Sequence, residues 1–153
     1  MNDLVVTYRE KYKDVFKRLN LEWIEHYFRV EKKDLEQVNA PEECVKNGGQ
    51  IFFVVSDGMA VGTCALYKIG EGRYELAKMA VDGAFRGKSF GDLLMSEAEA
   101  WARAQGAKSI MILSNTILEP AIRLYKKHGY EVVNLGPHPE YERANIEMIK
   151  KLH

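Results

Sequence analysis

The sequence predicts an α/β (α+β) domain, a mixed sheet of six to seven strands with helices on both faces. Two observations carry this. Three strand-like runs after Gln50 are joined by tight glycine turns, which makes an antiparallel meander. A helical stretch and a short apolar run follow them, which makes a β-α-β crossover. The 153 residues suffice for one real core, a chain of this size burying roughly 70% of its unfolded surface. With no repeat, low-complexity tract or long linker, residues 1–153 read as one continuous domain.

Leu4 to Tyr8 has the composition of a short strand, and Tyr12, Val15, Phe16, Leu19 and Trp23 then fall on one helix face. The stripe of Tyr12, Phe16 and Trp23 reads as core packing and not as a base-stacking surface. A second helix is expected from Glu31 to Val38, and a short third one from Pro41 through Lys46, ended by Asn47-Gly48-Gly49. IFFVV, AVGTCALYKI and RYELAKMAV are the strands of the meander. Phe90, Leu93, Leu94, Ala98 and Trp101 share the face of a helix that Gly106 terminates, and SIMIL (Ser109 to Leu113) is a buried strand. Pro120 opens a last helix that Gly129 closes, and YEVVNL and NIEMIKKL supply the final strands.

Composition narrows the function classes. Lys plus Arg total 22 and so do Asp plus Glu, so no broad field favours a polyanion and nucleic acid is not expected as a partner. The opening segment MNDLVVTYREKYKDVF has no basic lead into an apolar run, and no 18 consecutive apolar residues occur. The chain therefore reads as soluble and cytoplasmic, with no membrane partner. Cys44 and Cys64 form no CxxC, and His26, His128, His138 and His153 show no metal-ligand spacing, so no metal is expected. His128 is read as complementing the negative end of its helix.

The stretch MAVDGAFRGKSFGDLL lies between a strand and a helix, where unpaired N–H groups and the helix dipole favour an anion. Gly87 and Gly91 permit close backbone approach, and Arg86 and Lys88 add cationic donors. Such a turn also occurs as plain structure. A nucleoside-triphosphate loop fits poorly, because three residues and not four separate Gly83 from Gly87, and Asp82 stands where the first glycine belongs.

The same stretch resembles the acyl-CoA signature Q/R-x-x-G-x-G/A of GNAT acetyltransferases, with Arg86 in the first position, Gly91 in the last and Ser89 in place of the central glycine. A second match lies downstream. Ser114-Asn115, Ala121 and Leu124-Tyr125-Lys126-Lys127-His128-Gly129-Tyr130 are similar to the family's N…A…LY-x-x-x-G-F/Y pattern. Tyr74 to Val81 is similar to the family's fourth strand, so the resemblance covers nearly the whole chain and implies the GNAT acyl-CoA N-acyltransferase fold. It implies acetyl-CoA as co-substrate, with Met79, Ala80 and Val81 pairing with the pantetheine amides as if it were an added strand. It also implies Arg86, Gly87, Lys88, Ser89, Phe90, Gly91 and Asp92 on the pyrophosphate, and Asn115 near the acyl-bearing arm.

The implied reaction moves an acetyl group to a primary amine of a small molecule, amino acid or peptide by direct transfer through a tetrahedral intermediate. An amine with a pKa of about 10.4 must lose a proton first. Glu75 matches a position where some family members carry the base; a solvated carboxylate at a strand end is the other reading. Lys78 on the same strand reads as structural or peripheral, because strand lysines are usually exposed. Tyr125 matches the family's general acid, against a core tyrosine on an amphipathic helix. Acceptor contacts are implied for Glu25 to Arg29 and Pro137 to Arg143. A non-catalytic CoA-binding regulatory module is the alternative function, and open C-terminal strands admit a homodimer.

Overall fold

The computed structural model describes residues 3–152, so His153, one of the four histidines considered as metal ligands, and Met1 and Asn2 lie outside the described residues. Seven strands form one sheet: β1 (Asp3–Thr7), β2 (Gln50–Ser56), β3 (Met59–Gly70), β4 (Arg73–Val81), β5 (Ser109–Ser114), β6 (Glu131–Leu135) and β7 (Ile146–Lys151). Their order is β1-β2-β3-β4-β5-β7-β6. Only β4 and β5 run parallel, joined by a helical crossover; the other neighbours are antiparallel. This is the expected mixed sheet. One correction concerns the C-terminal strands: β7 is interior, between β5 and β6, so β6 alone leaves that edge open.

Five helices cover the sheet: α1 (Lys13–Tyr27), α2 (Lys32–Asn39), α3 (Pro41–Lys46), α4 (Phe90–Ala104) and α5 (Glu119–Lys127). The side-chain period of β2 divides the core in two. Phe52 and Val54 face a cluster with Phe90, Leu94, Met95, Ala98 and Ala102 of α4. Ile51, Phe53 and Val55 face Phe16 of α1, Val38 of α2 and Cys44 of α3. Fully burying side chains such as Phe16, Phe53 and Leu94 contributes about 1.5–3 kcal/mol each.

Local signals set the helix ends. Glu31 and Asp34 form a reciprocal capping box at the start of α2, and Pro41 and Pro120 sit in the first turns of α3 and α5. No helix among the described residues is long and apolar enough to cross a membrane.

Candidate active site

The site begins where two parallel strands separate. β4 pairs with β5 only at Arg73 with Ser109, Tyr74 with Ile110 and Glu75 with Met111. Beyond Glu75, β4 stays on β3 to Val81 while β5 stays on β7 to Ser114. A bulge in β4 helps to turn it away: the register on β3 slips between Thr63 and Ala65, and Lys78 takes a φ of +56°. The fork opens a cavity of about 330 Å³, walled by Glu75 to Val81 and Ile112 to Asn115, with Arg86 and Tyr125 also on it. Trp23, Tyr27 and Phe28 at the end of α1, and Tyr141 and Arg143 from the β6–β7 loop, also line it. Both segments expected to meet the acceptor thus reach this cavity.

Glu75 stands at the fork, paired across the sheet with Tyr67 and only 6% exposed, which overturns the reading of a solvated strand-end carboxylate. Burial raises its pKa, while the charges of Lys33, Lys78 and His138 act against that rise. Tyr125, half-buried on α5, packs against the α4-side core, and burial pushes its phenol up to about 12. A phenol so shifted keeps its proton at neutral pH.

Met79, Ala80, Val81, Arg86 and Asn115 line the same cavity; Gly87, Lys88, Ser89, Phe90, Gly91 and Asp92 lie beside it, in the loop that starts α4. Gly87 and Ser89 both have left-handed backbones, at φ of +82° and +63°. The first hydrogen bond of α4 runs from Leu93 N to Ser89 O, so helical geometry leaves the N–H groups of Phe90, Gly91 and Asp92 without helix partners. Asp82 accepts from Ala84 N and caps a one-turn helix at Gly83–Phe85, so the glycine that a triphosphate loop needs is replaced by a turn-forming carboxylate.

Several side chains in this set do other work. Phe90 is buried and stacks on Phe85 at 6.4 Å, so only its backbone can meet a ligand. The Asp92 carboxylate accepts from His128 Nε2 at 2.8 Å and Lys127 Nζ at 2.9 Å, tying the start of α4 to the end of α5. Those two hydrogen bonds lower its pKa. Asn115 donates to Arg143 O at 2.8 Å and accepts from Ile117 N at 3.0 Å, which fixes the β6–β7 loop against the end of β5. A Cβ on Gly91 would come within 3.0 Å of Leu124 Cδ2, so that glycine serves the approach of α4 to α5.

Two expectations are corrected. Lys78 is 5% exposed, not peripheral, because Asp34 of α2 meets its ammonium at 2.8 Å. Trp23 is not core packing; it is half-buried on the cavity wall, with its indole N–H on Asn20. The reading also missed Asp34, a fully buried carboxylate that accepts from Lys78, Tyr141 and Arg143. Burial alone would raise its pKa, but the Arg143 hydrogen bonds and the Lys78 charge hold it well below the usual carboxylate range. Its sequence signal was the capping box, which explains a backbone contact and not the buried one. Among the described residues no group of three or more His, Cys, Asp or Glu is placed to hold a metal ion.

Comparison with known proteins sets this geometry in context. A model described as the Acetyltransferase (GNAT) family matches residues 13–130. An amino-acid acetyltransferase of Ectopseudomonas mendocina is 32% identical over 83 residues, 54% of this chain and 18% of that protein. One from Azotobacter vinelandii is 39% identical over 67 residues, 43% of this chain and 16% of its own length. The chain thus spans less than a fifth of these curated relatives. An acetyltransferase of the GNAT family from Staphylococcus aureus superposes with a TM-score of 0.89 at 19% identity, covering 99% of this chain and 100% of that one. The PaiA N-acetyltransferase of Thermoplasma acidophilum, in complex with coenzyme A, gives a TM-score of 0.78 at 16% identity, covering 99% of both chains. At these identities the structures share the fold.

Proposed function

The chain belongs to the acetyltransferase (GNAT) family, and from that premise we propose that it moves an acetyl group from acetyl-CoA to a primary amine by direct transfer. The observation that carries the proposal is the fork between β4 and β5, which brings Glu75 and Tyr125 to one cavity beside an unpaired strand edge and a helix start. The free edge of Met79 to Val81 suits the pantetheine amides, which would extend the sheet by β-pairing. Arg86, Lys88 and the N–H groups from Gly87 to Asp92 suit the pyrophosphate.

In this reading Glu75 takes a proton from the bound ammonium and leaves a neutral amine. The amine nitrogen attacks the thioester carbonyl, whose oxygen gains negative charge that the N–H of Met79 or Ala80, on the bulged strand, stabilises. Collapse of the tetrahedral intermediate breaks the C–S bond, and the Tyr125 hydroxyl gives its proton to the departing thiolate. Free CoA and an N-acetylated amine result. Both cysteines are free and buried, and burial raises both thiol pKa values, Cys44 to about 12, which argues against a covalent acetyl-enzyme at either. The cytoplasm suits two unpaired thiols.

The test is a screen of purified protein with acetyl-CoA against amines, amino acids, polyamines and peptides, following free CoA thiol. We expect amine-dependent release of thiol with at least one class. Tight acetyl-CoA binding without transfer to any acceptor would instead favour a CoA-binding regulatory module.

A further inference from the structure

The wall at the acceptor end of the cavity carries two cations, Lys78 and Arg143. Both are already matched. Asp34 accepts from Lys78 Nζ at 2.8 Å and from Arg143 Nη2 at 2.6 Å, with Arg143 Nη1 on its other oxygen. The guanidinium fork is thereby spent on one carboxylate, in the bidentate geometry that this planar group favours. The guanidinium of Arg143 is further fixed by stacking on the Tyr141 ring, 4.4 Å from its centroid. Glu31 lies 3.7 Å from Arg143, so two positive charges face two negative ones before any ligand arrives. Burial draws the Lys78 pKa below its ordinary value, and the Asp34 carboxylate pulls against that fall.

Glu75 is the charge left over. It lines the cavity, is almost fully buried, and none of the ion pairs among the described residues includes it. Lys33 and His138 lie near it but outside the cavity wall: Lys33 is exposed, over the Tyr141 ring at 5.2 Å, and His138 Nδ1 accepts from Glu140 N at 3.1 Å. Arg86 is on the wall at the opposite end, in the loop after β4. An acceptor bringing one ammonium to Glu75 gains a partner, whereas one that also brings a carboxylate meets like charge in a poorly screened cleft. The rest of this end is aromatic, with Trp23 and Phe28 edge to face at 6.3 Å and Tyr27 beside them.

Resting on the acetyltransferase reading, we propose that the acceptor is a primary amine with an aromatic or other apolar body and no carboxylate next to the amine. The curated relatives are named for amino-acid acceptors. In this chain the two cavity-wall cations able to take an amino acid's carboxylate there are both held by Asp34.

The experiment compares three probes that differ only at that group: 2-phenylethylamine, phenylalanine and phenylalanine amide. Each is titrated into the protein saturated with CoA, following the fluorescence of Trp23, with Trp23→Phe separating its signal from that of Trp101. The amine is expected to bind at least about tenfold more tightly than the amino acid, as like-charge repulsion at a few ångströms implies. The amide should fall with the amine. Equal or tighter binding of phenylalanine overturns the proposal, and so does failure of all three to bind. In either case transfer to some other amine in the screen leaves the acetyltransferase reading standing, whereas transfer to none removes that reading whatever the probes do.

Discussion

A carboxylate with no exposed surface persists in a protein only where cations and donors surround it, and Asp34 has Lys78, Arg143 and Tyr141. Asp34→Asn leaves two buried cations with half their compensation, and the expected loss is about 3–5 kcal/mol by chemical denaturation. The pH dependence has a fixed sign. Because the folded pKa of Asp34 is depressed, its stabilising contribution is complete above the ordinary carboxylate pKa of about 4 and is lost as pH falls through the folded value. The acid limb of the stability curve should therefore flatten in Asp34→Asn; an unchanged limb would place the acid sensitivity elsewhere. Tyr125 offers a separate test. If its hydroxyl protonates the thiolate, Tyr125→Phe keeps acetyl-CoA affinity and lowers kcat by roughly 10²- to 10⁴-fold. Turnover within about threefold of the parent, far short of that range, would make Tyr125 a packing residue.

The start of α4 is where the sequence departs from its family pattern, and the structure gives that departure a physical cost. Ser89 occupies a left-handed backbone that glycine adopts freely and a residue with a Cβ does not. Ser89→Gly is expected to raise stability by up to about 1 kcal/mol, with CoA affinity kept or improved. Gly91→Val should act in the opposite direction, because its side chain would crowd Leu124 Cδ2 and force that side chain to shift. A melting temperature for Gly91→Val equal to the parent's would show that this contact yields without cost. The elements themselves were legible. The period of Phe16 and Leu19, the proline starts and the glycine turns are local signals, and each lies where the corresponding helix or turn forms. Lys78 was not legible for the same reason: its burial depends on Asp34, 44 residues away, and no local pattern announces a partner on another element. Trp23 continued the α1 stripe in sequence, yet the same face that is core at Phe16 is cavity wall about two turns later.

At the scale of the molecule, one topological fact links fold to chemistry. The only parallel pair in the sheet is also the pair that stops early, so the strand edge, the crossover helix start and the helix α5 that carries Tyr125 all meet at one fork. Acetyl-CoA seated in the fork should stabilise the whole fold by mass action, about 2.7 kcal/mol at a ligand concentration of 100 Kd. Amide hydrogen exchange measured with and without CoA tests that placement most directly. Added protection should concentrate in residues 79–81 and 87–92, the free edge of β4 and the start of α4. CoA binding that leaves both segments unprotected, with slowed exchange elsewhere, would contradict it.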